Sequence, residues 1–178
     1  MTLKTHASPR RIFYALVLAL FANLVSCGYR FSAQYSRLPE RIKTVSVSVF
    51  KNNTKEPNLE LAVTEAIAET LRHDGRLELV SGKSADSAVS GSVEQYRLDP
   101  LAFDTLNRAA QYRVRIKIKI KFEDKAPGGE VLEKTLETQW DYATGGAITS
   151  AEKARQDAIK RASSYLGDKV VGLLFEGF

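Results

Sequence analysis

The side chains best suited to binding chemistry form a cationic stripe. Arg113, Arg115, Lys117, Lys119 and Lys121 occupy alternate positions in one segment of the chain. Charged donors of this kind bind phosphate or carboxylate groups, provided that neighbouring acidic side chains do not neutralise them. The stripe is therefore either an anion-binding surface or a solvated strand face compensated by ion pairs.

Groups suited to catalysis or metal binding are scarce. After the first 26 residues the chain has one histidine, His73, and one cysteine, Cys27. Nucleophilic catalysis needs a paired base, and transition-metal sites need several nitrogen or sulfur ligands. Neither Gly128-Gly129 nor Gly145-Gly146 lies in a phosphate-cradling motif. The sequence predicts no enzyme, no metal site and no cofactor, and His73 is interpreted as a residue at a helix end.

The N-terminal segment has the pattern of an export signal. Three basic residues, Lys4, Arg10 and Arg11, precede the uncharged run 12–26, which ends directly before Cys27. The run is shorter than the roughly 20 residues that a membrane-spanning helix needs. A basic start followed by a short apolar run indicates a signal peptide, so we expect residues 1–26 to be removed.

The residues Leu24-Val25-Ser26-Cys27 resemble a bacterial lipobox, with an aliphatic residue three positions before the cysteine and a small one just before it. We therefore expect acylation of Cys27, although an ordinary signal peptide ending at a cysteine is the alternative. Two or three acyl chains would hold the mature protein at a membrane. Gly28, rather than an aspartate, follows the cysteine and favours the outer membrane.

The charge of the mature chain argues against a nucleic-acid partner. Residues 1–26 contain three of the 26 basic residues and none of the 21 acidic ones. Their removal leaves the chain only mildly basic, whereas nucleic-acid binding domains usually have a strong positive excess. We divide the rest into the acylated cysteine and a tether over residues 27–41, and a single domain over residues 42–178.

Periodic segments within that domain predict strands and helices. Valines alternate with Thr and Ser in the segment 43–50, which predicts a half-buried strand. A helix is predicted after Asn58, its capping residue, and should end at Gly75. Two further strands are predicted over residues 77–80 and 88–98. A second helix should begin at Thr149, with Glu152 completing a capping box.

A long hairpin over residues 112–122 and 131–142 is the strongest prediction. Like faces oppose each other when paired residue numbers sum to 254, and a slip of one residue would invert every side chain. Arg113, Lys117 and Lys121 then face acidic residues. Arg115 and Lys119 face only Gln139 and Thr135, and are predicted to lack acidic partners.

Two more basic residues, Arg108 before the hairpin and Lys153 after it, should lie toward the same end of the sheet. Together with Arg115 and Lys119 they are the candidate contacts for phosphate or acidic groups. The predicted fold class is α+β, a two-layer sandwich with a mixed or antiparallel sheet of four to five strands and two helices packed on one face.

An ordered series of segments resembles the LptE family of lipopolysaccharide-assembly lipoproteins. The series begins with Cys27-Gly28-Tyr29-Arg30-Phe31, continues with residues 45–54 (VSVSVFKNNT) and Glu56-Pro57-Asn58-Leu59-Glu60, and extends to Gln111-Tyr112-Arg113-Val114. The resemblance implies a small sheet with two helices on one side. It also implies a position inside the outer-membrane β-barrel LptD as a plug, and a role in delivering lipopolysaccharide to the outer leaflet.

The resemblance further implies that lipopolysaccharide is bound, with Arg108 and Lys153 near the family's basic positions. The stripe at residues 113–121 departs from a single family site. The alternative is a lipoprotein of similar fold that faces the periplasm and activates a peptidoglycan synthase or serves a secretion channel.

Overall fold

The computed structural model describes residues 38–144 and 148–176, so Cys27, the predicted signal peptide and most of the tether lie outside the described residues. The elements follow in the order β1 (Thr44–Val47), β2 (Lys51–Asn52), α1 (Leu59–Asp74), β3 (Glu78–Leu79), a 3-10 turn (Gly82–Ser84), β4 (Ser87–Phe103), β5 (Ala109–Asp124), β6 (Val131–Ala143) and α2 (Ile148–Glu176).

The six described strands form one mixed sheet in the order β3-β1-β4-β5-β6, with β2 pairing with β4 beyond the end of β1. The pairings of β1, β2 and β3 are parallel, whereas β4, β5 and β6 form an antiparallel meander. Both helices pack on one face of this sheet. The predicted α+β sandwich is confirmed, with one more short strand than the four to five expected.

The extra strand arises because the first predicted strand breaks after Val47. Val49 was expected to face the core with Val45 and Val47, but it is 63% exposed. Phe50 takes the core position instead and is 2% exposed. Its backbone N–H donates a hydrogen bond of 3.0 Å to Thr64 Oγ1 on α1, which ties the break to the helix layer.

The core lies between the helices and one face of the sheet. On β5 the alternate residues Val114, Ile116, Ile118, Ile120 and Phe122 are all buried. They meet helix residues at 3.6-residue spacing, which are Leu59, Val63, Ile67 and Leu71 from α1 and Ala158, Ala162, Leu166 and Val170 from α2. Burial of each larger side chain contributes roughly 1.5–3 kcal/mol. The charged alternate positions of β5 therefore point away from the helices.

The helix ends differ in detail from the prediction. Gly75 ends α1 in the left-handed conformation, and its N–H donates to the Leu71 carbonyl, as a glycine cap should. Asn58, in contrast, is itself left-handed and its side chain makes no capping hydrogen bond. Helix α2 already begins at Ile148, so Thr149 is inside the helix and the predicted capping box is wrong.

Candidate functional site

The open face of the meander β4–β5–β6 carries the cationic stripe. Strands β5 and β6 pair in the predicted register throughout, with Tyr112 opposite Tyr142, Val114 opposite Trp140 and Phe122 opposite Leu132. The register is fixed because apolar side chains of both strands then face the helices. The same register aligns the basic residues of β5 with the acidic residues of β6 on the open face.

Two of the predicted cross-strand ion pairs are confirmed. The Arg113 guanidinium donates two hydrogen bonds of 2.7 Å to the Asp141 carboxylate, and Lys117 Nζ lies 3.3 Å from Glu137 Oε2. The hydrogen bond from Arg113 holds the pKa of Asp141 below its usual value. These pairs are partly exposed and screened by solvent, so each contributes little to stability.

Lys119 was predicted to lack an acidic partner, and this is wrong. Its Nζ lies 2.7 Å from Glu133 Oε2, a diagonal neighbour on β6, and the hydrogen bond raises the pKa of Lys119. Lys121, which was expected to face Glu133, turns instead to Glu123 on its own strand at 3.0 Å. Long lysine side chains reach diagonal neighbours, so directly opposed pairs are only part of the pattern.

Arg115 also has an acidic neighbour that the hairpin alone does not supply. Its Nη1 lies 3.4 Å from Oδ2 of Asp99, which belongs to β4 on the other side of β5. Arg97 Nη2 lies 3.4 Å from Asp99 Oδ1. The prediction considered only the β5–β6 hairpin and missed both β4 residues. The signal available in the sequence was that Arg97 and Asp99 are two residues apart, which places them on the same face of a strand.

A second, less exposed ion-pair network joins the two layers. Arg155 on α2 donates to Glu56 Oε1 at 2.6 Å, to Tyr96 Oη at 3.3 Å and to both carboxylate oxygens of Glu152. Hydrogen bonds from Arg155 and then Gln156 lower the pKa of Glu152 to about 2. The network fixes α2 against β4 and the loop before α1.

The tip of the β4–β5 hairpin is apolar and uncovered. Leu101, Phe103 and Leu106 are 41%, 58% and 70% exposed, respectively. Asn107 adopts the left-handed conformation in the turn, and the Asp104 carboxylate accepts the backbone N–H groups of Leu106 and Arg108. A rigid turn thus presents apolar side chains beyond the end of β6.

Comparison with known proteins decides the family. Residues 42–171 match the LptE lipopolysaccharide-assembly family. The chain belongs to this family. None of the curated proteins matches the sequence. The match begins where the described fold begins and covers all six strands and most of α2, so the whole sandwich is the LptE-family domain.

Three solved structures share the fold of this chain. A candidate lipoprotein from Caulobacter crescentus is 22% identical, with a TM-score of 0.52 over 71% of this chain and 87% of that chain. A hypothetical protein from Chlamydia trachomatis is 10% identical, with a TM-score of 0.52 over 74% of this chain and 97% of that one. Uncharacterized lipoprotein B from Nitrosomonas europaea is 12% identical, with a TM-score of 0.50 over 83% and 90%.

Arg108 and Lys153 are the two candidate residues that the LptE-family resemblance implies. Arg108 lies in the β4–β5 turn, where it binds Asp104 through contacts of 2.9 and 2.8 Å. It lines a cleft with Glu152 and Arg155 at the start of α2. Lys153 is exposed on α2 and has no ion pair with any described residue. Arg115 and Lys119 lie on the opposite face of the sheet, so the structure does not gather the four candidates into one cluster.

Two features that bear on other kinds of site can be stated for the described residues of this LptE-family domain. Among residues 38–144 and 148–176, no group of three or more His, Cys, Asp or Glu side chains could hold a metal ion. No helix in those ranges combines the length and apolar character needed to span a membrane. His73 is at the end of α1, 3.1 Å from Glu69.

Proposed function

We propose that this chain is a non-enzymatic outer-membrane lipoprotein that sits inside the LptD β-barrel and assists the insertion of lipopolysaccharide into the outer leaflet. Membership of the LptE lipopolysaccharide-assembly family supports the role. The observation that carries the docking mode is the open sheet face, on which every cation of the β5 stripe has an acidic neighbour. A barrel lumen is polar, and a face of interleaved basic and acidic side chains suits it better than an apolar face would.

Photo-crosslinking in cells tests this docking mode. Crosslinkers placed at Arg115, Lys119 and Gln139 should all react with a single outer-membrane barrel, because these positions share the open face. The matched control is Leu136, which is on β6 but faces the helices, and a crosslinker there should give no intermolecular product. Absence of products at the three open-face positions, together with crosslinks elsewhere to a peptidoglycan synthase, would favour the alternative function.

The proposed anchor is Cys27. Intact mass of the purified protein should show loss of residues 1–26 and the added mass of acyl chains, because the lipobox places the cysteine at the cleavage point. The protein should fractionate with the outer membrane. A Cys27→Ala variant is the control and should lack the acyl mass. An uncleaved N-terminus in the wild-type protein would contradict the anchor.

The four basic candidates are proposed as contacts for lipopolysaccharide, in two different settings. Lys153 lies near the start of α2, and Arg108 lies in the β4–β5 turn. Phosphate or acidic sugars would there meet Lys153, which has no ion pair among the described residues, and Arg108, which is paired with Asp104. Arg115 and Lys119 already contact Asp99 and Glu133. A phosphate group reaching them must compete with those carboxylates, so their contribution is smaller than that of unpaired cations.

A further inference from the structure

Like charges oppose each other at one place on the open sheet face. Strand pairing puts Arg97 of β4 directly opposite Arg115 of β5, and Asp99 opposite Arg113 on the next outward-facing pair. Directly opposed like charges destabilise a sheet unless an anion lies between them. Three arginines from two neighbouring strands therefore converge on one side of the sheet.

Asp99 neutralises this arginine cluster incompletely. Its Oδ1 and Oδ2 atoms lie 3.4 Å from Arg97 and Arg115, respectively, which is beyond the usual length of a charge-assisted hydrogen bond. The Oδ2 atom is inaccessible to solvent and accepts no hydrogen bond from any residue in the described ranges. The Asp99 carboxylate thus lies between the two guanidinium groups without forming a short hydrogen bond to either of them.

Most donors of Arg97 and Arg115 have no partner among the described residues. Arg113 uses Nε and Nη2 on Asp141, whereas Arg97 and Arg115 each make one long contact to Asp99. The side chain of Arg97 is 53% exposed and that of Arg115 is 33% exposed, so both can reach a ligand from solvent. Three guanidinium groups against Asp99 and Asp141 leave one positive charge in excess.

We infer that Arg97, Arg113 and Arg115 form a phosphate-binding site on the open face, with Asp99 holding the guanidinium groups in place until the ligand displaces it. The planar guanidinium fork matches the oxygens of a phosphate group, and two forks facing one point favour a dianion. This site is separate from Arg108 and Lys153, and its assignment to lipopolysaccharide rests on the proposed function.

The apolar surface beside the site favours a phosphate carried by a lipid. Leu101 follows Arg97 on β4 and is 41% exposed, and Phe103 at the hairpin tip is 58% exposed. From Arg97 to Phe103 a strand extends about 20 Å. An amphiphile with a phosphorylated head group could thus contact the arginines and the apolar tip together, whereas free phosphate would use only the arginines.

Binding of diphosphorylated lipid A to the purified full-length protein in detergent tests the site. Arg97→Gln should weaken binding of lipid A about tenfold, because one charge-assisted hydrogen bond to the phosphate is lost. The matched control is Lys117→Gln on the same face, whose lysine pairs with Glu137, and it should change binding less than twofold. Asp99→Asn should tighten binding several-fold, since it removes the competing carboxylate, and a purely structural aspartate would not give this result.

Further measurements distinguish a lipid-borne phosphate from free phosphate. They also distinguish failure of the phosphate site from failure of the proposed function. Dephosphorylated lipid A should bind equally to wild type and Arg97→Gln, and inorganic phosphate should bind far more weakly than lipid A. Equal weakening by Arg97→Gln and Lys117→Gln, or no tightening by Asp99→Asn, would overturn the site. Equal affinity for inorganic phosphate would overturn the lipid source. The Arg97→Gln variant should still crosslink to the barrel, because docking does not depend on the phosphate site. Absence of crosslinks in the wild-type protein would therefore contradict the proposed function and leave the phosphate site untouched.

Discussion

Gly91→Ala is expected to lower the free energy of unfolding by at least about 3 kcal/mol, at the upper end of what overpacking a core costs. Gly91 lies on β4 directly under the ring of Phe50. A Cβ atom added there would be 2.5 Å from Phe50 Cε1 and 2.3 Å from the Lys119 carbonyl oxygen on β5. The carbonyl belongs to the sheet backbone and cannot move aside without breaking the β4–β5 pairing. Urea unfolding followed by circular dichroism measures the effect.

Gly82→Ala is the matched control for Gly91→Ala. Gly82 has φ +80°, but no atom lies within 4 Å of a Cβ added there. The alanine therefore meets only backbone strain, which costs about 1–2 kcal/mol. A Gly91→Ala variant as stable as Gly82→Ala would contradict the close packing of Phe50 against β4.

Arg155→Met is expected to cost about 3–5 kcal/mol, because it leaves the Glu56 carboxylate unpaired at a largely buried position. The side chains of Arg155 and Glu56 are only 19% and 12% exposed. The control is Arg72→Met on α1. Arg72 pairs with Glu69 where both side chains are more than half exposed, so its replacement should cost less than about 1 kcal/mol.

The double variant Arg155→Met with Glu56→Leu separates pairing from packing. Replacing both partners with apolar side chains removes the unpaired charge, so the double variant should be more stable than Arg155→Met alone. A double variant that is less stable than Arg155→Met would show that Glu56 is held by contacts other than Arg155. Urea midpoints at pH 7 make the comparison.

Lowering the pH should show how much the Arg155–Glu152 hydrogen bonds contribute to stability. Because the folded pKa of Glu152 is lowered to about 2 from 4.5, its stabilising contribution is present above about pH 4.5 and is lost as the pH falls toward 2. Arg155→Met removes the main hydrogen-bond donor. The stability of the variant should therefore decline less between pH 5 and pH 3 than that of the wild type.

The β5–β6 hairpin was predictable because its alternation is long and strong. Thirteen consecutive residue pairs, from Gln111–Ala143 to Glu123–Val131, form as the register predicted. A register shifted by one residue would oppose the apolar face of β5 to the polar face of β6, so the alternation in the sequence excludes that alternative. Strand β4 was predicted to end at Leu98 but reaches Phe103, because pairing with β5 carries it past Pro100.

The charge partners were less predictable than the strands. Arg115 contacts Asp99, which lies beyond the predicted end of β4, and Lys119 pairs with the diagonal carboxylate of Glu133, although its direct neighbour is Thr135. Sheet order depends on tertiary packing, and long side chains select among several partners of similar energy. The sequence therefore identified the surface, whereas only the structure identified the arginine cluster at Arg97.

The mixed sheet also sets the order in which the chain can fold. Strands β4, β5 and β6 are joined by short turns, so their pairing closes only small loops. The first strand pairs in parallel with β4, and Ser87 Oγ donates to the Thr44 carbonyl from 43 residues away. Closing that larger loop costs more entropy. A chain emerging from its N-terminus therefore has only the two-residue strand β3 to pair with β1 until Ser87 follows. A chain interrupted before that point leaves the other edge of β1, on which β4 pairs, unprotected.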